Sequence, residues 1–263
     1  LAFATERERH GTRLRAAVVF LGLATWLCYV GDRILDARSS GETLRLRERH
    51  RFYGKLWRDR RAALLAALGL GALACIVVGL RGLDFSLLEG YAALTAISLV
   101  YFVWVHFAGR RSASAASKEA IVGIIFAVAC VLPAWNASTR EAALLLIPED
   151  LVFAALCWLN CVAIERWEGR DVLSPLAHRS TRWAAVHLGP LLASGTFASA
   201  GLALLRRHDV AQLLLALSLG GAFALLGLLE ARRRRLSVEA LRILADAALL
   251  TPIPWVVLEF AFK

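Results

Sequence analysis

Asp32 and Asp36 stand four residues apart in Tyr29-Val30-Gly31-Asp32-Arg33-Ile34-Leu35-Asp36-Ala37-Arg38, at the end of an apolar run that begins near Leu14. On a helix this spacing puts both carboxylates on one face. That face falls where an apolar helix meets water. Carboxylates so placed can hold a divalent cation, and the cation can hold a diphosphate. The plainer alternative is a solvated helix end in which the acids pair with Arg33 and Arg38. A second acidic set closes another apolar run, Asn160-Cys161-Val162-Ala163-Ile164-Glu165-Arg166-Trp167-Glu168-Gly169-Arg170-Asp171. Glu165 and Glu168 share a helix face at i,i+3, while Asp171 falls beyond Gly169. Arg166 and Arg170 are at hand to pair with them. Asn160 lies more than a turn inside the apolar region, where an amide needs a partner. Two acidic helix ends drawn from distant parts of a chain say more together than either does alone.

The elements that carry these ends are apolar. Hydrophobic residues make up 59% of the 263 residues, and the mean hydropathy is +0.59. Eight apolar blocks, 14–31, 60–80, 87–107, 119–137, 147–166, 183–205, 210–231 and 238–260, are each long enough to cross a bilayer core of about 30 Å. The expected fold is all-α, a polytopic membrane bundle of eight transmembrane helices forming a single domain over 1–263. The net charge of +10 does not point to nucleic acid, because of how it is distributed. Alternate connections, 31–61, 108–118, 166–182 and 232–242, hold 22 Lys and Arg, against 4 in the three between them. That asymmetry is a topology signal. It places the rich connections, and both acidic helix ends, on the cytoplasmic side of an inner (cytoplasmic) membrane. The segment 1–15 carries four Arg yet falls on the other side, and the chain contains no Met. A further helix before Leu1 is therefore expected, which would make nine.

Other polar residues are fewer. Leu44-Arg45-Leu46-Arg47-Glu48-Arg49-His50-Arg51-Phe52-Tyr53-Gly54-Lys55 follows the first acidic pair. It reads both as a contact with anionic lipid and as a cationic flap in which Arg49 and Arg51 neutralise phosphate oxygens. Tyr101 and Trp104 are expected as interface aromatics, and His106 has no second ligand at metal spacing. Lys118 opens a helix against its dipole, which a bound anion or a charge-rich loop edge explains equally well. Gly69, Gly71 and Gly79 should admit a close neighbour. Gly189-Pro190 and then Pro252 and Pro254 should bend their helices. Asp246 lies two turns into the last block and is expected to face the bundle interior in an ion pair with Arg242. Cys28, Cys75, Cys130, Cys157 and Cys161 form no CxxC pair and read as small core residues.

This arrangement resembles the UbiA-type intramembrane prenyltransferase superfamily, whose members have nine helices and two Asp-rich motifs at cytoplasmic helix ends. Asp32-Arg33-Ile34-Leu35-Asp36 is similar to the latter part of the first motif, and Glu165 to Asp171 stands where the second belongs. Tyr101, Lys118 and Gly123 are loosely similar to the family's tyrosine and basic residues. The resemblance implies Mg²⁺ on Asp32, Asp36, Glu165 and Glu168 as the catalytic set, with a prenyl diphosphate held by Arg49, Arg51, Lys118 and Tyr101. Asn160 and Asp246 would line the pocket for a hydrophobic aromatic or lipid acceptor. Cys28-Tyr29 stands where the first motif has Asn-Asp, and the second motif has Glu for Asp. Those departures fit a rival expectation. In it the bundle is non-catalytic, a structural or lipid-binding subunit of a larger membrane complex, and its acids are helix-end ion pairs.

Overall fold

The computed structural model describes residues 2–39, 48–103, 117–169 and 178–251, and their side chains except those of 2–14, 33, 35–39, 48–54 and 102. Among them every regular element is helical. In chain order these are α1 (Ala2–Ser39), α2 (Glu48–Gly82), α3 (Phe85–Val103), α4 (Lys118–Ala137), α5 (Arg140–Glu168), α6 (Arg179–Val186), α7 (Leu188–Leu205), α8 (Val210–Arg232) and α9 (Val238–Ala248), with a 3-10 turn at Arg233–Arg235. Among the described residues six segments are long and apolar enough to cross a membrane: Arg15–Asp32, Lys55–Gly82, Lys118–Ala137, Arg140–Glu168, Leu188–Leu205 and Val210–Arg235. Large apolar side chains such as Leu70, Val100, Phe197 and Leu205 lie more than two-thirds exposed. Water penalises such surface and lipid tails do not. The chain is an all-α integral membrane protein.

Two of the eight expected blocks extend past the described residues. Block 87–107 is apolar helix over Phe85–Tyr101, and block 238–260 is helix over Val238–Ala248, with Pro252 and Pro254 outside the description. Block 183–205 is not one helix. It breaks at His187, which has φ −99° and ψ 20°. The cause is Pro190, whose ring crowds the carbonyl four residues back, on Val186, the last residue of α6. Pro133 ends nothing, because α4 runs through it to Ala137. α5 starts seven residues before its apolar block, at Arg140, where the Thr139 hydroxyl accepts from the Ala142 N–H at 3.3 Å.

The helices gather in two compact units. The first holds α1, α2, α3 and residues 132–137 of α4, and the second holds the rest of α4 with α5 to α9. In the first unit α1 and α2 pack against each other. Val30 and Ile34 are buried with Leu64, flanked by Leu56, Trp57 and Leu68. Gly71 and Gly79 admit Trp26 and Phe20 of α1, while Gly69 faces open space. Phe20 also meets Tyr91 of α3, with ring centroids 4.8 Å apart. α2 is bent at Arg60, where φ is −137° and ψ is 36°.

In the second unit α5 is central, with α6, α7, α8 and α9 packed on it. Its inward stripe runs Glu149, Leu156, Asn160, Ala163 and Trp167, all buried and spaced as one helix face requires. α4 approaches α5 through Gly123. A Cβ there would lie 2.7 Å from the Trp158 nitrogen and 2.8 Å from its Cα, so it would meet backbone, which cannot swing aside. Gly123→Ala is therefore expected to cost about 1–3 kcal/mol by forcing the two helices apart. Gly189→Ala, with nothing within 4 Å, should leave stability unchanged or raise it slightly. Thermal unfolding of both variants in one detergent tests the contrast.

Candidate functional site

The polar side chains of the second unit concentrate at the end formed by the C-terminal turns of α5 and α8 and the first turns of α4, α6 and α9. α5 delivers Glu165, Arg166, Trp167 and Glu168 there, because its apolar stripe ends at Trp167. α8 delivers Glu230, the last acid before four arginines. Glu230 is the hub. Its Oε1 faces Arg166 Nη1 at 3.3 Å and also pairs with Arg233. Its Oε2 accepts the Trp167 indole N–H at 2.7 Å. Arg166 donates in addition to the Ala185 carbonyl at the end of α6. One carboxylate thus ties α5, α8 and the turn after α8, with α6 joined through Arg166.

A second tie joins α5 to α9. Arg242 Nε lies 3.1 Å from Glu168 Oε1, and the Glu168 side chain is only 5% exposed. Arg242, expected to pair with Asp246 one turn along its own helix, reaches across to α5. Asp246 does not face the bundle. The inward face of α9 is Leu241, Ala245 and Ala248, and Asp246, one residue past Ala245, is turned to the exposed side. An i,i+1 step rotates a side chain about 100° away.

A third cluster sits at the starts of α4 and α6. Ser117 caps α4, accepting from the Ala120 N–H at 3.2 Å. The Ser117 and Thr181 hydroxyls lie 2.8 Å apart. Both donate to Glu119 Oε2, at 2.9 Å from Ser117 and 2.6 Å from Thr181. Lys118, between Ser117 and Glu119, is half-buried. An anion is not needed to explain a cation at this helix start, since Glu119 balances it in the same turn.

The chain matches no family model, no curated protein and no solved structure.

The two acidic sets belong to different units, Asp32 to the first and Glu165 and Glu168 to the second. Asp32 is half-buried on α1. The side chains of Asp36, Arg49 and Arg51 lie outside the described residues. Tyr101 is half-buried near the end of α3. Among the described residues no three His, Cys, Asp or Glu side chains gather within reach of one metal ion. A magnesium ion on Glu168 would have to displace the guanidinium already held there.

Asn160 is buried as expected, and its Oδ1 has no hydrogen-bond partner. Neither has Trp158 Nε1, two residues earlier on α5. Sequence reasoning passed over Glu119, Glu149 and Glu230, the three carboxylates that organise this unit. A signal was present, since Glu149 and Glu230 lie at the edges of apolar runs where a lone acid needs a reason.

Proposed function

We propose that this chain is an integral membrane prenyltransferase of the UbiA type, moving a polyprenyl group from a prenyl diphosphate to a hydrophobic aromatic or lipid acceptor. The Lys/Arg-rich helix ends face the cytoplasm, and the diphosphate is handled on that side of the inner membrane. The observation that carries this reading is the buried amide of Asn160. A buried acceptor without a donor costs about 1–3 kcal/mol, and in a bundle whose other polar groups are mostly paired it calls for a visiting one. A hydroxyl on an otherwise apolar acceptor is such a donor. The apolar helix walls accept the isoprenoid tail and keep water from the allylic cation. Arg49, Arg51 and Tyr101 of the first unit hold the diphosphate and offset the charge it gains as the C–O bond breaks. Asp32 and Asp36 are the residues for a magnesium ion, which when bound supplies further positive charge to the leaving group.

A second reading has its own support. Glu168 with Arg242, and Arg166 with Glu230 and Arg233, are the inter-helix ion pairs expected of a non-catalytic bundle serving as a structural or lipid-binding subunit of a larger membrane complex.

Binding of geranylgeranyl diphosphate to detergent-solubilised protein, with Mg²⁺ and then with excess EDTA, separates the two. The first reading expects binding that needs the metal and that weakens roughly 100-fold in Asp32→Asn/Asp36→Asn, as two charge-assisted contacts are lost. Asn160→Leu is expected to fold with equal or greater stability and to bind the diphosphate normally, yet lose turnover with the acceptor. No binding in any condition by folded protein would leave the second reading, whose mark is co-purification with a membrane complex in fixed stoichiometry.

A further inference from the structure

The bend in α2 has no cause in its own sequence. Sharp bends in helices arise at Pro, at Gly or Ser pairs, at π-bulges, or where something is inserted into the backbone ladder. Residues 55–62 read Lys-Leu-Trp-Arg-Asp-Arg-Arg-Ala and contain none of those residue types, yet Arg60 leaves the helical region at φ −137°, ψ 36°. An open pocket of about 410 Å³ lies at the bend, lined by Lys55, Leu56, Asp59 and Arg60. It falls where the polar start of α2 meets the apolar run beginning at Ala62, at a Lys/Arg-rich end of the span. That is the depth of lipid head groups. Trp57 is at the same level, and Arg61 stacks over its ring at 5.0 Å, a pairing typical of the interface.

We infer that this pocket is a binding site for the phosphate of an anionic phospholipid, which occupies the bend in α2. Among the described residues two cations and one carboxylate line it, a set able to hold a phosphodiester with a hydroxyl beside it. Lys55 and Arg60 meet the phosphate oxygens, Asp59 accepts from a head-group hydroxyl, and Leu56, packed on the α1–α2 core, gives the pocket its apolar side for the glycerol backbone. Phosphatidylglycerol has all three features. The inference does not rest on the transferase reading, since a lipid can hold this bend whether or not the protein is an enzyme.

Native mass spectrometry of the full chain, released from mixed phosphatidylglycerol and phosphatidylcholine, tests it. The expected result is one phosphatidylglycerol retained in preference to phosphatidylcholine. Retention should be roughly 30-fold weaker in Lys55→Gln/Arg60→Gln, from the loss of two surface cations. It should be unchanged in Arg60→Lys, which keeps the charge, and in Arg234→Gln/Arg235→Gln, which removes as much charge elsewhere. Circular dichroism of each protein confirms the helical content. Equal retention of the two lipids, or equal loss in both double variants, would overturn the site. Displacement of phosphatidylglycerol by geranylgeranyl diphosphate would overturn the lipid assignment and give the pocket to the prenyl donor.

Discussion

Arg206→Ala is expected to cost about 3–5 kcal/mol of stability, among the largest losses available from a single side chain in this protein. Its partner Glu149 has a fully buried side chain, and Arg206 Nε reaches Glu149 Oε1 at 2.9 Å. The same guanidinium donates from Nη2 to the Leu145 carbonyl at 2.6 Å. That carbonyl belongs to the turn loosened by Pro148, which removes one ladder hydrogen bond from α5. Truncation at 206 therefore strands a buried carboxylate and uncovers a weakened helix turn in one step. Losing one partner of a buried pair is costly because the other charge stays behind without compensation. Glu149→Gln should cost less, since Glu149 Oε2 already lacks a partner and the amide can still accept from Arg206. Glu149→Leu combined with Arg206→Met removes both charges and should recover most of the loss, or exceed wild type. Equilibrium unfolding of wild type and these three variants in one detergent checks the order. A loss below about 1 kcal/mol in Arg206→Ala would mean that water or lipid head groups reach Glu149 after truncation.

Helix positions were largely legible in the sequence, because a membrane span is written in residue count and hydropathy. Helix rotations were not. A span that is apolar on every side has no stripe to say which face turns inward, so nothing in 147–167 announced that Glu149, Asn160 and Trp167 share one inward line. Asp246 illustrates the consequence. It was expected to face the interior, but packing of Leu241, Ala245 and Ala248 sets the rotation of α9, which leaves Asp246 exposed and carries Arg242 to Glu168. Glu165 and Glu168 do lie in the last turn of α5, but nothing in the sequence signalled that Arg242, 74 residues further on, would reach Glu168. The break at His187 was legible for the opposite reason, since Gly189-Pro190 acts through local backbone geometry alone.

Glu230→Ala carries the second large expected effect, again about 3–5 kcal/mol, and it bears on the origin of order at the polar end. Glu230 is mostly buried, with its side chain 11% exposed. Both of its oxygens are used, Oε1 by Arg166 and Arg233 and Oε2 by Trp167. Removing it leaves two guanidinium groups with less compensation and an indole N–H inside the core, where Trp167 is 3% exposed. The orphaned N–H alone should account for about 1–3 kcal/mol, and the uncompensated charges for the remainder. Trp167→Phe in the Glu230→Ala background should then recover part of the loss, and the double-mutant cycle should give a coupling within about 0.5–3 kcal/mol. Glu230→Gln keeps an acceptor for the indole while neutralising the charge, so it isolates the electrostatic share. If Glu230→Gln proves as damaging as Glu230→Ala, the ion pairs hold this end together. If it is nearly neutral, the hydrogen bond to Trp167 does, and the order of this end rests on one buried N–H and its acceptor rather than on charge, which removes the main support of the scaffold reading.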